Sequence, residues 1–241
     1  MAVSRSPSRA DAHVRVALFI TCIGDAVLPE VGTATVTVLE RLGHEVVFPR
    51  RQTCCGQMHA NSGYRGQAER LAAHFMEVFG EFDTIVSPSS SCVGTLRERH
   101  PELHGRLFEL SGLLVDRLGV TDVGAWFPHR VVYHPTCHSL RLTGVGDAPL
   151  QLLGAVAGLE LLELEASREC CGFGGTFAIK NADTSTAMVI DRCRAIAASG
   201  ASVVTALDGS CLLQIGGRLS REGSGVRALH LAEILAQTAT R

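Results

Sequence analysis

A chain of 241 residues, 46% hydrophobic and only 19% charged, carries enough apolar material for a substantial core and does not have the composition of a disordered polymer. Its formal net charge of −2 lacks the basic excess of a nucleic-acid footprint, so no nucleic-acid partner is expected. The longest uncharged apolar run, Ala148 to Leu159, is too short to cross a bilayer, and no direct membrane span is expected.

In chain order, residues 1–13 are rich in Ser and Arg and read as a frayed, disordered tail. Arg5, Arg9 and Arg15 ahead of the apolar stretch Val16 to Gly24 imitate a signal sequence, but Asp25 breaks that stretch and no small-residue cleavage pattern follows. Val16 to Ile20, Glu45 to Phe48 and Thr84 to Val86 are short apolar, β-branched runs that predict buried strands. Between them Val31, Ala34, Thr35, Val38, Leu39 and Leu42 fall at helical spacing, as do Ala68, Leu71, Ala72, Phe75, Met76 and Phe79. A last helical pattern, Leu107, Leu110, Leu114 and Leu118, leads to Gly119–Pro128, a stretch of linker-like Gly, Asp and Pro density in which Trp126 is expected to plug a joint. Beyond it, strands are expected near Val131, Leu161 and Val203, with a helix presenting Val189, Ile190, Cys193, Ile196 and Ala197 on one face. Alternating strand and helix is the grammar of right-handed parallel α/β units.

The second half repeats the first. VALFITC ending at Cys22 parallels VVYHPTC ending at Cys137, LGHEVVFPRRQTCCG parallels LELLELEASRECCG, and FDTIVSPSSSC parallels GASVVTALDGSC. The matched cysteines lie 115, 116 and 119 residues apart, a drift of only a few positions. The fold class that follows is α/β, as two tandem copies of one Rossmann-like parallel-sheet module related by a pseudo-twofold. The modules are expected at 14–118 and 130–241, with residues 119–129 as linker.

Nine cysteines, four of them in the vicinal pairs Cys54-Cys55 and Cys170-Cys171, suit a disulfide framework poorly. Reduced thiols in a cytoplasmic protein are the better reading. Each expected strand is followed by cysteine: Cys22 after the first, Cys54 and Cys55 after the second, Cys92 after the third, and Cys137, Cys170, Cys171 and Cys211 in the same order in the second copy. Parallel strands bring all their carboxyl ends to one edge, where such sheets bind ligands, so four thiols per module can converge there. Four thiolates repel one another unless a cation gathers them, and they suit iron–sulfur, zinc or copper(I). Gly56, Gly172, Gly174 and Gly175 allow close approach of backbone amides. Cys193 lies on an apolar helix face where the first copy has Glu77, and is expected in the core.

Particular runs carry a resemblance: PEVGTATVTVLERLG, QTCCGQ with NSGYR, YHPTCH, CCGFGGTFAIK and GSCLLQIGGRL. From about Val14 onward the chain resembles the cysteine-rich CCG domain family, which includes the CCG-bearing component of heterodisulfide reductase, glycolate oxidase iron–sulfur subunits and short two-domain lactate-utilization proteins. The last of these is the nearest likeness. The resemblance implies an iron–sulfur electron-transfer subunit of a complex oxidising L-lactate to pyruvate, working with other subunits that include a ferredoxin-type iron–sulfur protein. In the wider family the last cysteine belongs to a Cys-x-x-Cys; here the earlier position is Ser89 in one module and Asp208 in the other. Four thiols per site match one 4Fe–4S-type cluster per module. A zinc-binding structural module, or a thiol–disulfide redox subunit using the vicinal pairs, remains an alternative.

The chain has no GxGxxG after a strand, so no hydride-accepting nucleotide site is indicated and it is expected to act as a non-autonomous subunit. His59, His134 and His138 lie close to the cysteines and could tune a cluster, although capping a strand end or facing solvent is the commoner role. Arg141, Lys180 and Arg218 could attract a carboxylate substrate, although exposed cations are usually just solvated.

Overall fold

The computed structural model describes residues 13–239, so the tail read over residues 1–13 lies outside the described part except for its last residue. Two four-stranded, all-parallel sheets form its frame. In the first, β1 (Arg15–Leu18), β2 (Glu45–Val47), β3 (Ile85–Ser87) and β4 (Leu107–Glu109) are ordered β2-β1-β3-β4. In the second, β5 (Arg130–Tyr133), β6 (Glu160–Leu162), β7 (Val203–Ala206) and β8 (Arg227–His230) repeat that order as β6-β5-β7-β8. Registers match as well, with Val16 beside Val46 and Ala17 beside Ile85 in one sheet, and Val131 beside Leu161 and Val203 in the other.

The apolar stretch after the N-terminal arginines is therefore an interior strand: Val16, Ala17 and Leu18 of β1 are all buried. The helix Pro29–Arg41 starts on a proline, whose missing N–H costs nothing in a first turn, and buries Val31, Ala34, Thr35, Val38 and Leu39. The helix Arg65–Phe79 buries Ala68, Ala72, Phe75 and Phe79. Phe75 and Phe79 stack 4.6 Å apart and both meet the edge of Phe19, closing the outer core of the first module.

Each module has its own outer core, and a third cluster belongs to both. Val16, Val38, Leu39, Leu113 and Leu114 pack there with Val131, Leu152, Leu153, Ile234 and Leu235. The helix Leu231–Ala236, at the end of the second module, lies against Pro29–Arg41 of the first. The Arg41 guanidinium donates to the carbonyls of Val123, Leu235 and Ala236 and ties that helix down. A fully buried Leu or Val in such a cluster contributes about 2 kcal/mol of transfer free energy, so shared burial fixes how the modules sit together.

Three expectations need correction. Leu107 is not helical: Leu107–Glu109 forms β4, and helical turns run only from Leu110 to Arg117. Strands of three or four residues, such as β4 and β8, are too short to show a period of two. Trp126 is 42% exposed and plugs nothing; its neighbours Ala125 and Phe127 point inward with Val123, so this stretch lies in the shared core as an extended segment. Its backbone is held by Phe127 N–H on Ala157 O and Trp126 N–H on Gln237 O. In the helix Ala182–Ala198 the inward face is Ser185, Val189, Arg192, Cys193 and Ile196, while Ala197 is exposed.

Candidate metal centre

Local backbone chemistry brings the first four thiols to the carboxyl ends of β1, β2 and β3. After β1 the chain turns sharply at Thr21, whose φ of 73° is unusual for a β-branched residue and whose hydroxyl accepts from Gly24 N–H. Cys22 opens the short helix that follows. The Gln52 carboxamide joins the exits of β1 and β2, accepting from Ile20 N–H at 2.9 Å and donating to Leu18 O at 3.0 Å. That places the Cys54-Cys55 pair beside Cys22. Cys92 sits in the first turn of the helix Ser90–Arg99, where its N–H donates to the capping hydroxyl of Ser89.

The Sγ atoms of Cys22 and Cys54 are 3.6 Å apart, and those of Cys55 and Cys92 are 3.2 Å apart. All four line one cleft. The second module repeats the arrangement: Cys137, Cys170, Cys171 and Cys211 line a cleft of their own. In both, the N–H of the CCG glycine points at the first sulfur of the pair, Gly56 to Cys54 at 3.3 Å and Gly172 to Cys170 at 3.4 Å. Both glycines adopt a left-handed φ, 86° and 84°. A Cβ on Gly172 would lie 2.7 Å from Ser185 O, and one on Gly56 3.0 Å from Ala68 O, so the third letter of CCG is set by packing as well as by φ. Cys55, Cys92, Cys171 and Cys211 are buried, whereas Cys22, Cys54, Cys137 and Cys170 are partly exposed at the mouths.

Neither cleft is completed by its own module. Phe173, Gly209 and Ser210 help to line the first, and Gln57, Asn61 and Ser91 the second. The Gln57 amide donates to His138 Nε2 at 2.8 Å, which leaves the proton on Nδ1, 3.4 Å from Cys137 Sγ. A residue of the first module therefore fixes a tautomer beside a thiol of the second.

Crowding splits the thiols in the same way twice. Hydrogen bonds from Cys22 and Cys55 hold Cys54 well below the usual thiol range, and Cys137 and Cys171 do the same for Cys170. Donation to those thiolates, with burial behind it, pushes Cys22, Cys55, Cys137 and Cys171 up. Four thiolates in one cleft repel one another and need a cation among them. The donor set of four sulfurs, with a glycine N–H on one of them, fits an iron–sulfur cluster or a thiolate-bound metal.

The other residues singled out in the sequence divide clearly. Cys193 is buried in the outer core of the second module, with its Sγ on Ile215 O. Lys180 and Arg141 are exposed, and Arg218 pairs with Glu222. His59 lies near Cys54 in a shallow pocket. His134 neither caps a strand nor faces solvent: it is 1% exposed, and it forms a compact group with Cys171 and Cys211 whose ligand atoms lie within 4.8 Å of one another. Burial pushes its pKa down to about 4, with the Arg192 charge adding to the effect.

Residues 16–97 and 131–216 each match the cysteine-rich CCG domain. The chain belongs to the CCG domain family. Among CCG proteins it is similar to lactate utilization protein A of an Exiguobacterium species, 46% identical over 236 residues covering 91% of this chain and 96% of that one. It is 41% identical to lactate utilization protein A of Bacillus subtilis over 235 residues, or 92% and 99% of the two chains. A hypothetical protein from Helicobacter pylori shares the fold alone, with a TM-score of 0.59 at 9% identity over 94% of this chain and 49% of that one.

Two features of this CCG protein escaped sequence reasoning. Arg192 is fully buried and donates to the carbonyls of Glu165, Ala166 and Glu169, holding the loop that leads into Cys170. The signal was a charge in the middle of an apolar helix face. Asp208, buried between the clefts, was visible only as a departure from cysteine at its position.

Proposed function

We propose that this chain is the iron–sulfur electron-transfer subunit of a complex that oxidises L-lactate to pyruvate. Cys22, Cys54, Cys55 and Cys92 are assigned to one 4Fe–4S-type cluster, and Cys137, Cys170, Cys171 and Cys211 to a second. The observation that carries this reading is the gathering of eight thiols into two sets of four at the strand ends, each with a glycine N–H on the same sulfur. Similarity to lactate utilization protein A over nearly the full length supports the substrate.

When bound, such clusters supply one-electron chemistry. The chain's own residues do the rest. The eight thiolates hold the clusters, Gly56 and Gly172 donate to sulfur, and Ile20, Met58 and Phe173 keep water from the inner thiols of the first cleft. Cys22, Cys54, Cys137 and Cys170 lie at the mouths, where partner subunits, among them a ferredoxin-type iron–sulfur protein, can deliver and collect electrons. Among the described residues no helix is long and apolar enough to cross a membrane, and we place the complex in the cytoplasm.

The test is anaerobic purification with iron, sulfide and zinc analysis, followed by EPR. Iron and sulfide in cluster ratio, with a signal on reduction, support the proposal. Zinc without sulfide supports the structural-module alternative and overturns it.

A further inference from the structure

The two thiol sites are built alike and surrounded differently. Aligned on Cys22 and Cys137, Phe19 of the first module corresponds to His134 of the second. Phe19 packs edge-on against Phe75 and Phe79, at 5.0 and 5.5 Å, behind the first site. His134 occupies the same place behind the second, is 1% exposed, and has no hydrogen-bond partner on either ring nitrogen. Buried donors in native proteins are almost always satisfied, because an unmade bond forfeits the full desolvation cost. The nearby sulfurs of Cys171 and Cys211 show where the missing partner lies. Arg192, fully buried where the first module has Met76, holds the adjoining loop and pairs with Glu169 at 3.5 Å.

Hydrogen bonds to cluster sulfurs favour the reduced, more negative form of a cluster. We propose that His134 donates a ring N–H to the sulfur of the cluster held in the second module and so raises the reduction potential of that cluster. The inference rests on the cluster reading above. The first site has Phe19 at the equivalent position and no donor there.

Redox titration of the anaerobically purified chain, followed by EPR, tests this. Wild type should show two reduction steps, and the step that vanishes in Cys171→Ser belongs to the second module. His134→Phe, which installs the first-module residue, should keep iron and sulfide at the wild-type level and move that same step to lower potential. His134→Gln retains a side-chain N–H and should stay close to wild type, which separates donation from mere filling of space. Iron retained in His134→Phe with both steps unmoved overturns the inference alone. Loss of half the iron in that variant makes His134 a ligand and also overturns it. A wild-type chain without iron and sulfide overturns the cluster reading and this inference with it.

Discussion

Asp208 of the second module accepts hydrogen bonds from the Ser89 hydroxyl and the Ser91 N–H of the first, both at 2.9 Å on one carboxylate oxygen. The other oxygen accepts from Thr136, one residue before Cys137, at 2.6 Å. Ser89 and Asp208 hold equivalent positions, each three residues before the last cysteine of its module, and they also pair as an antiparallel bridge, as a local twofold requires. These are the positions where the resemblance places a further cysteine in the wider family. Here they join the two modules instead, which leaves four thiols per site.

Removing that carboxylate should loosen the whole molecule. Asp208→Ala would leave the N–H of Ser91 and the hydroxyl of Thr136 buried without their acceptor, and the Ser89 hydroxyl with only that of Ser91. The expected loss is about 3 kcal/mol of unfolding free energy, with both modules melting in one transition because they share a core. Asp208→Asn keeps an acceptor and should lose about 1 kcal/mol. Urea unfolding followed by circular dichroism measures both; an unchanged midpoint in Asp208→Ala would refute the bridging role.

Gly172 should tolerate substitution less well than its counterpart. Alanine there must hold a φ of 84° with its Cβ 2.7 Å from Ser185 O, against 3.0 Å from Ala68 O at Gly56. Left-handed backbone alone costs about 1–2 kcal/mol for a non-glycine residue, and the backbone clash adds to it. Gly172→Ala is therefore expected to destabilise by about 3 kcal/mol and to lose iron from the second site first. Gly63→Ala, with a φ of 85° and nothing near its Cβ, is the control for backbone strain alone and should leave iron content intact.

The sequence exposed what depends on local order and concealed what depends on depth. Cysteine after every expected strand, repeated twice, sufficed to bring Cys22, Cys54, Cys55 and Cys92 together, because parallel strands share one edge. The exchange of Phe19 for His134 can be read by aligning the repeats. Burial of the imidazole without a partner cannot, since it depends on how distant parts of the chain pack around the end of β5. The short edge strands β4 and β8 were hidden by length, and the inward turn of Val123, Ala125 and Phe127 by the glycines that made the stretch look like a tether.

Glu109 should give stability a falling limb with pH. It is buried at the end of β4, Ser111 donates to one oxygen, the other has no partner, and burial pushes its pKa up to about 7. A raised carboxyl pKa means that the folded state holds a proton the unfolded chain has already released above pH ~4.5. Stability from this group is thus present at low pH and is lost as pH rises from about 4.5 to about 7, by roughly 3 kcal/mol in all. His230, pushed down to about 4 by burial, works in the opposite sense below pH ~6.5. Subtracting Glu109→Gln from wild type isolates the carboxyl: the variant should gain on wild type as pH rises through that window and run parallel to it above. A difference that stays flat from pH 4.5 to 8 would refute the assignment.

The ligand assignment makes the sharpest functional prediction. Each module carries its own four thiols, so Cys55→Ser or Cys171→Ser should empty one site and leave the other largely filled, with iron and sulfide near half the wild-type level. Cys193→Ser, in the core and away from either cleft lining, should keep all its iron and lose about 1 kcal/mol of stability. The purified chain by itself should oxidise L-lactate negligibly, since no residue pattern in it offers a hydride acceptor. Assembled with its partner subunits, it should support L-lactate-dependent reduction of an artificial acceptor, and either ligand variant should abolish that activity while still assembling. Robust turnover by the isolated chain, or full activity with one site emptied, would show that electrons do not pass through these thiol-bound groups.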